Sequence, residues 1–281
     1  MNAGEIVELS EDGGLKTLVR SQAMPDGLVI DAATQRILWT CMGVPGKKDG
    51  AVYSARLDGS DIKIVVAPGK INTPKQLTLD ERNGKLYFCD REGCGIFRCD
   101  SDGTNLEQIV DKNPTGPPNG NIHDWCVGVT LAPSIGKLYW TQKGPSKAGG
   151  GRIFSAEIPL PGEQIAGPRC LLDNLPEPID LEFDEKSLQL YWTDRGEIPF
   201  GNSLNRVQLD RQGDIFHSGE QLCHVLARNF NETIGLKKTL SEDSVYVTDL
   251  GGSIYRYDVN SGIKTQLFHD DTRAFTGITC I

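Results

Sequence analysis

The chain has 281 residues, 38% of them hydrophobic, and its 29 Lys and Arg against 38 Asp and Glu give a net charge of −9. This acidic balance argues against nucleic acid or an anionic membrane as the main partner, because both attract basic surfaces. No run of about 18 apolar residues is present, so the sequence predicts no membrane-spanning helix.

A short aromatic signature recurs five times along the chain. Its copies are Leu38-Trp39-Thr40-Cys41, Tyr87-Phe88-Cys89-Asp90, Tyr139-Trp140-Thr141-Gln142, Tyr191-Trp192-Thr193-Asp194 and Tyr246-Val247-Thr248-Asp249. They follow one another at intervals of roughly 50 residues, which is the period of a repeat architecture.

Each copy lies in the same local context. An apolar strand precedes it, as in residues 27–31, and a Gly-rich loop and an alternating strand follow, as in residues 51–57. A short fourth strand, such as residues 63–66, completes the unit. Period-two alternation with turn residues between the runs predicts four antiparallel strands per unit, which is one blade of a β-propeller. We therefore expect an all-β fold with a single β-propeller domain over residues 1–281.

The two ends of the chain contain further strand-like segments. Residues 275–281 read as a first strand, and residues 5–9 and 15–19 read as a third and a fourth strand. The sequence therefore predicts a six-bladed propeller whose sixth blade is closed by N- and C-terminal strands, from residues 4–20 and 274–281. This blade lacks its second, aromatic strand.

The start of the chain and its cysteines indicate the compartment. The first residues have neither the basic nor the apolar segment of a signal peptide. Most of the eight cysteines lie in apolar, strand-like runs, which favours reduced core thiols over a disulfide framework. Cys89, Cys94 and Cys99 lack the short knuckle spacing of zinc sites. We expect a cytoplasmic protein.

With these repeats, the chain resembles the six-bladed propellers with Tyr-Trp-Thr-Asp repeats, the class B repeats of low-density-lipoprotein receptors. It is more similar to a small, stand-alone intracellular branch found in bacteria and fungi. The resemblance covers nearly the whole chain. Its most specific stretches are residues 125–128, 139–147, 175–181, 191–196, 201–206 and 248–252.

Topology indicates which loops share a face. In a four-stranded meander, the loops between strands 2 and 3 lie at the same end as those that lead into the next blade. The 2–3 loops here are long or unusual, and so is the connection over residues 111–125. Long loops on a rigid scaffold often carry binding sites, so we place the site on this face, over the mouth of the central channel.

Polar residues at the ends of strands supply the candidates. Asp26, Lys75, Gln76, Trp125, Glu177 and Asp180 begin first strands, and Asp90, Gln142, Asp194 and Asp249 end second strands. The motif aspartates also have a structural interpretation, because in this repeat class they often bridge blades.

Stand-alone fungal propellers of this type include the hetero-Diels–Alderases of tropolone–sesquiterpenoid biosynthesis. The resemblance implies a pericyclase of secondary metabolism that needs no cofactor and no metal. Its substrate would combine a polar aromatic part with an apolar terpene. Lys143, Glu177, Asp180 and Arg195 are then the catalytic candidates, with Glu177 or Asp180 as the acid. The substrate-binding candidates are Met42, Lys75, Gln76, His123, Trp125, Gln142, Asn202, Asn205 and Asp249.

Two other functions stay open. Glu177, Asn202, Asn205 and Asp249 resemble the carboxylate and amide cage of metal-dependent six-bladed lactonases, because hard cations prefer oxygen ligands. The same face would also serve a protein- or peptide-binding module without catalysis. A nicotinamide dehydrogenase has no support, since no Gly-x-Gly-x-x-Gly element opens a helix.

Overall fold

A computed structural model describes residues 4–112, 120–216, 223–239 and 243–280. Within these ranges the chain forms 22 β-strands, two short 3-10 helices (Ile122–Asp124 and Pro133–Ile135) and no α-helix. The predicted site loop over residues 111–125 includes residues 113–119, and the predicted sixth blade includes Ile281. Both lie outside the described residues.

Twenty strands form five antiparallel sheets of four strands each, and consecutive strands are neighbours in every sheet. The blades are blade 1 (β3 Pro25–Asp31, β4 Arg36–Cys41, β5 Gly50–Arg56, β6 Lys63–Ile71), blade 2 (β7 Pro74–Asp80, β8 Lys85–Asp90, β9 Gly95–Asp100, β10 Glu107–Asp111), blade 3 (β11 Cys126–Ala132, β12 Lys137–Gln142, β13 Gly151–Glu157, β14 Arg169–Leu175), blade 4 (β15 Pro178–Asp184, β16 Gln189–Asp194, β17 Ser203–Gln208, β18 Cys223–Ala227) and blade 5 (β19 Thr233–Lys238, β20 Ser244–Asp249, β21 Ser253–Asp258, β22 Ile263–His269).

The prediction of six blades is wrong, because the described residues form five. The N-terminal strands β1 (Gly4–Leu9) and β2 (Leu15–Gln22) pair only with each other, as a two-stranded sheet. Residues 271–280 form no strand, so the expected closure by N- and C-terminal strands is not found. The physical reason is the missing second strand, which in every other unit hydrogen-bonds the first strand on one side and the third on the other.

The aromatic signature forms the second strand of each blade. Its central residue is buried and stacks on a ring of the third strand in blades 1 to 3: Trp39 on Tyr53, Phe88 on Phe97 and Trp140 on Phe154, at 5.4–5.9 Å between centroids. These rings belong to apolar clusters that join neighbouring blades, such as the cluster of Trp140 with Ile109 and Val129. A blade therefore buries its faces only beside another blade.

The threonine of the signature connects neighbouring blades. Each first strand has a register shift opposite this position, which is threonine in every blade except blade 2, where it is Cys89; in blade 1 the shift lies between Pro25 and Leu28. Thr40 Oγ1 accepts the N–H of Gly27 in its own blade (2.9 Å) and donates to Lys75 O of blade 2 (2.7 Å). Thr141 and Thr193 make the equivalent pairs of bonds. The hydroxyl thus satisfies the backbone groups that the bulge releases.

Blade 5 makes the same bond to the C-terminal segment instead of a further blade. Thr248 Oγ1 accepts from Gly235 N and donates to Thr276 O, and Thr276 Oγ1 donates to Pro25 O of blade 1 at 3.1 Å. This segment therefore lies against the first strands of blades 5 and 1, although it forms no strand of its own.

Candidate functional site

Three cations occupy the same position in adjacent blades. Arg91, Lys143 and Arg195 each follow directly on the second strand of blades 2, 3 and 4. Trp125 and Glu177 lie just before the first strands of blades 3 and 4, at the same end of the sheets. We call these five residues the mouth cluster.

Glu177 lies at the centre of the mouth cluster and is fully buried. Its Oε1 lies 2.5 Å from Arg195 Nη2 and 3.1 Å from Lys143 Nζ. Its Oε2 accepts from Ser146 Oγ and from the backbone N–H of Lys147. Burial acts to raise the pKa of Glu177, but the two cations outweigh burial and hold this pKa below its usual value. Glu177 is therefore an ionised anchor, and this environment does not support its predicted role as the acid.

Two cations lie over the Trp125 ring. The guanidinium carbon of Arg91 is 5.1 Å from the ring centroid, and Lys143 Nζ is 5.6 Å from it. Arg91 also pairs with Glu92 at 2.6 Å. Cation–π contacts of this kind hold an indole in place, so Trp125 is fixed by its neighbours.

Lys75 is inside the protein rather than at the surface. Its Nζ lies 2.7 Å from Asp26 Oδ2 and 3.2 Å from Met42 Sδ. Burial lowers the pKa of Lys75, while the Asp26 carboxylate opposes that shift and Arg91 adds to it. The structure therefore brings the predicted residues Met42 and Lys75 together, but Lys75 already has an acidic partner.

A cavity of about 350 Å³ lies along the central channel. The first strands of all five blades and residues 278–280 line it, and apolar side chains such as Leu28, Leu77 and Leu236 form somewhat more than half of its wall. Gln76 and Asp180 contribute polar groups, and Lys237 and Glu182, which pair with each other at 2.6 Å, contribute charged ones. The cavity extends along the first strands toward the 1–2 turns, with Ala32 and Glu81 in its lining, so it lies deeper than the predicted face.

Asp180 is the buried acid of this cavity. Its carboxylate oxygens accept the N–H of Leu181 (2.9 Å) and of Leu236 in the next blade (3.0 Å). Burial, together with the nearby Glu182, raises the pKa of Asp180 to about 8 despite these two bonds. At neutral pH the group therefore carries a proton that it can donate.

Gln76 and Asp180 occupy equivalent positions at the bulges of their first strands. The equivalent residues elsewhere are glycines: Gly27, Gly128, Gly235 and, in the C-terminal segment, Gly277. A Cβ at Gly128 would lie 2.1 Å from Ile179 O, and one at Gly277 would lie 2.2 Å from Asp26 O. These glycines let adjacent first strands approach closely. We call the six residues the channel ring.

The remaining predicted residues lie apart from the cavity lining. Asp249 is buried and accepts the N–H groups of Asn231 and Ser253, and Asp90 and Asp194 bind loop N–H groups in the same way. Gln142 is buried at the equivalent position in blade 3. Asn202 Oδ1 accepts the N–H of Glu232, Asn205 bonds Ser203, and His123 is exposed on a 3-10 helix. The motif aspartates thus organise loops.

The predicted oxygen cage is already engaged in other contacts. Both oxygens of Glu177 are bound, and one of them faces two cations that would repel a divalent ion. Across the ranges that the structure describes, no group of three or more His, Cys, Asp or Glu side chains is arranged to hold a metal ion. These residues do not fit the calcium or zinc site of a lactonase.

Sequence reasoning missed Arg91, Glu92, Ser146 and Lys147. Arg91 had a usable signal, because it follows Asp90 as Lys143 follows Gln142 and Arg195 follows Asp194. The contacts of Ser146 and Lys147 with Glu177 had no signal in the sequence, since they depend on how blades 3 and 4 meet.

In the described part of the chain, no helix is long and apolar enough to span a bilayer.

The fold and the repeats define an all-β propeller of the Tyr-Trp-Thr-Asp type. No family model matches the chain. It is 42% identical over 288 residues to a Pyricularia oryzae protein named low-density lipoprotein receptor-related protein 1, covering 99% of this chain and 92% of that protein. The chain therefore belongs to the family of this fungal protein.

A second fungal relative is longer than this chain. The chain is 46% identical over 291 residues to the 3-hydroxyacyl-CoA dehydrogenase-like protein LAM1 of Cochliobolus heterostrophus. The match covers 99% of this chain but only 61% of that protein.

Two solved structures share the fold. A chain of the nidogen/laminin complex has a TM-score of 0.73 at 20% identity and covers 98% of this chain and 94% of its own. A gluconolactonase from Xanthomonas campestris has a TM-score of 0.61 at 16% identity, covering 87% of this chain and 75% of its own.

Proposed function

We propose that this propeller is a cofactor-independent enzyme that acts on a small molecule held in the central channel, with Asp180 as the acid. One observation carries the proposal: a buried carboxyl, whose pKa burial raises to about 8, lies in the wall of a cavity with both apolar and polar side chains. Perturbed acids in cavities are typical of catalytic sites.

The reaction that suits this site is a dehydration followed by a cycloaddition, as in the hetero-Diels–Alderases that the sequence resembles. Asp180 protonates the hydroxyl of a hydroxymethyl tropolone, the C–O bond breaks, and water leaves. The ring hydroxyl then returns a proton to Asp180, which gives a neutral quinone methide. A C–C and a C–O bond form with a terpene alkene. These reaction steps balance without an oxidant or a reductant.

The apolar wall would contribute by orientation. Holding diene and alkene in a reactive geometry is worth up to about 7–11 kcal/mol of the barrier in ideal systems. Leucines and valines of the first strands are suited to a hydrocarbon partner, and Gln76 and Asp180 supply polar contacts in the same cavity. The site therefore matches a substrate with one polar and one apolar part.

The name of the Cochliobolus relative suggests a different reaction, the oxidation of a hydroxyacyl thioester. Such an enzyme binds its dinucleotide at the start of a helix that follows a glycine-rich turn. The described ranges of this chain contain strands and two 3-10 helices but no α-helix. They do not fit that cofactor, so we derive no step through it.

The test is a product assay with purified protein, a hydroxymethyl tropolone and humulene, followed by chiral chromatography and mass spectrometry. We expect a single enantiomer of the adduct and the same turnover after exhaustive chelation. In Asp180→Asn, turnover should fall by about 10²-fold or more. Glu11→Gln, an exposed acid in the β1–β2 turn, is the control.

Failure has distinct forms. No acceleration by the wild-type protein, or full activity in Asp180→Asn, rejects the pericyclase. Hydrolysis of sugar lactones that is lost on chelation would establish the lactonase instead. Capture of a peptide at the mouth cluster without turnover of any small molecule would establish a binding module.

A further inference from the structure

The channel ring contains one hydrogen-bond donor without a partner. Gln76 is 3% exposed and lines the cavity, yet its Nε2 has no hydrogen bond. A buried amide N–H₂ left unpaired costs free energy, and natural proteins seldom retain one without a use. Nε2 itself has almost no accessible surface, so a ligand in the cavity reaches this donor by a small rotation of the Gln76 side chain.

The ring also limits where other polar groups can stand. Four of its six positions are glycine, and at Gly128 and Gly235 an added Cβ would lie 2.1 and 2.2 Å from the backbone of the next first strand or the C-terminal segment. Only blades 2 and 4 place side chains here, Gln76 and Asp180. Both residues line the same cavity.

The geometry points to a carbonyl-binding site, and we propose that Gln76 and Asp180 together donate hydrogen bonds to the carbonyl oxygen of an uncharged, otherwise apolar ligand. Gln76 contributes its unpaired N–H₂, and protonated Asp180 contributes an O–H. Leucines and valines around the ring contact the hydrocarbon part. This inference deepens the proposed function, on which it rests for the placement of the ligand in the channel.

The chemical class follows from the donor set. Two neutral donors and no free cation at the ring favour a ketone, enone or lactone oxygen over a carboxylate or phosphate, which would need a charged partner. Lys75, the cation next in sequence, is paired with Asp26 at 2.7 Å, and Lys237, which lines the cavity, is paired with Glu182 at 2.6 Å. A hydrocarbon of the same shape would leave Gln76 unpaired.

The test compares two probes of the same ring size by calorimetry and ligand-observed NMR: tropone, which carries a carbonyl, and cycloheptatriene, which does not. We expect tropone to bind the wild-type protein at least tenfold more tightly. Gln76→Met should lower tropone affinity by about tenfold and leave cycloheptatriene affinity unchanged. Gln212→Met, an exposed glutamine on the turn after β17, is the matched control.

A folding defect in Gln76→Met is handled by a second variant. Gln76→Leu keeps much of the side-chain volume but removes both N–H donors, and we expect it to weaken tropone binding as well. Equal affinity for the two probes in wild type, or unchanged tropone affinity in a folded Gln76 variant, overturns the inference.

The outcomes separate this inference from the proposed function. Carbonyl-selective binding that depends on Gln76, without turnover of the tropolone substrate, supports the site and rejects the pericyclase. Turnover by the wild-type protein with tropone binding that is indifferent to Gln76 supports the enzyme and rejects the site.

Discussion

Lys143 Nζ lies 3.1 Å from Glu177 Oε1, and both side chains are buried. Arg195 contacts the same oxygen at 2.5 Å. One carboxylate therefore compensates two cations contributed by blades 3 and 4, and the mouth cluster holds the two blades together as well as shaping the entrance.

Glu177→Gln should destabilise the fold by about 3–5 kcal/mol, because it leaves Lys143 and Arg195 without their shared counter-charge. Lys143→Met should cost less, since Arg195, Ser146 and the Lys147 N–H still bind Glu177. Urea unfolding of both single variants and the double variant measures the difference. Equal losses that simply add in the double variant would contradict this interpretation of the cluster.

Thr193→Val should lower the free energy of unfolding by about 1–3 kcal/mol, although it changes the side-chain volume little. The hydroxyl accepts from Asp180 N at 3.1 Å and donates to Ile234 O at 2.6 Å, and valine leaves both buried groups unpaired. Thr193→Ser should recover most of the loss. Thr265→Val, on the exposed strand β22, is the control, and a similar loss there would refute the assignment.

Gly128→Ala should destabilise the propeller by about 1–3 kcal/mol, because its Cβ would lie 2.1 Å from Ile179 O of blade 4. Gly150→Ala is the matched control, since the nearest atom to its Cβ is 3.8 Å away. Thermal unfolding of the two variants should separate them clearly. Indistinguishable melting temperatures would show that the first strands can move apart without cost.

Asp180 should make stability fall as pH rises. Its pKa is about 8 in the folded state and 3.8 in the reference state, so between these values the folded chain keeps a proton that the unfolded chain has lost. Stability then decreases by about 1.4 kcal/mol per pH unit from this group, starting from its full value below pH 4.

Urea midpoints measured from pH 5 to pH 8 test this dependence. In Asp180→Asn the slope should be shallower, whatever the variant's absolute stability. The stability of Asp180→Asn should still fall with rising pH, but less steeply than that of the wild-type protein, because burial also raises the pKa of Asp194 to about 7. Parallel curves for wild type and Asp180→Asn would show that Asp180 is ionised in the folded protein.

The five blades were predictable because the aromatic signature recurs with the period of one blade and must be buried. The missing sixth blade was less so. Residues 275–281 have a strand-like sequence, but a strand also needs a neighbour to bond with, and local sequence does not show that the neighbour is absent. The prediction assigned strands from composition alone, whereas hydrogen-bonded pairing with a neighbour decides whether a strand forms.

The site was predictable only in part, for a related reason. Strand ends indicated Lys143, Glu177 and Arg195 as one group, but their mutual pairing depends on the angle between blades 3 and 4. The bulge at Asp180 leaves no trace in the alternation of its strand, although it places this carboxyl in the channel ring. Arg91 was readable from its position after the signature and was overlooked.

The bonds of Thr276 also have a consequence for the order of folding. Thr40 reaches Lys75 across 35 residues, whereas Thr276 reaches Pro25 across 251. Closing the longer loop costs more chain entropy and is slower to nucleate, so neighbouring blades dock first and the joint at Thr276 forms last. The same joint is then the first to open, and amide exchange measured in the native state should be fastest along residues 274–280.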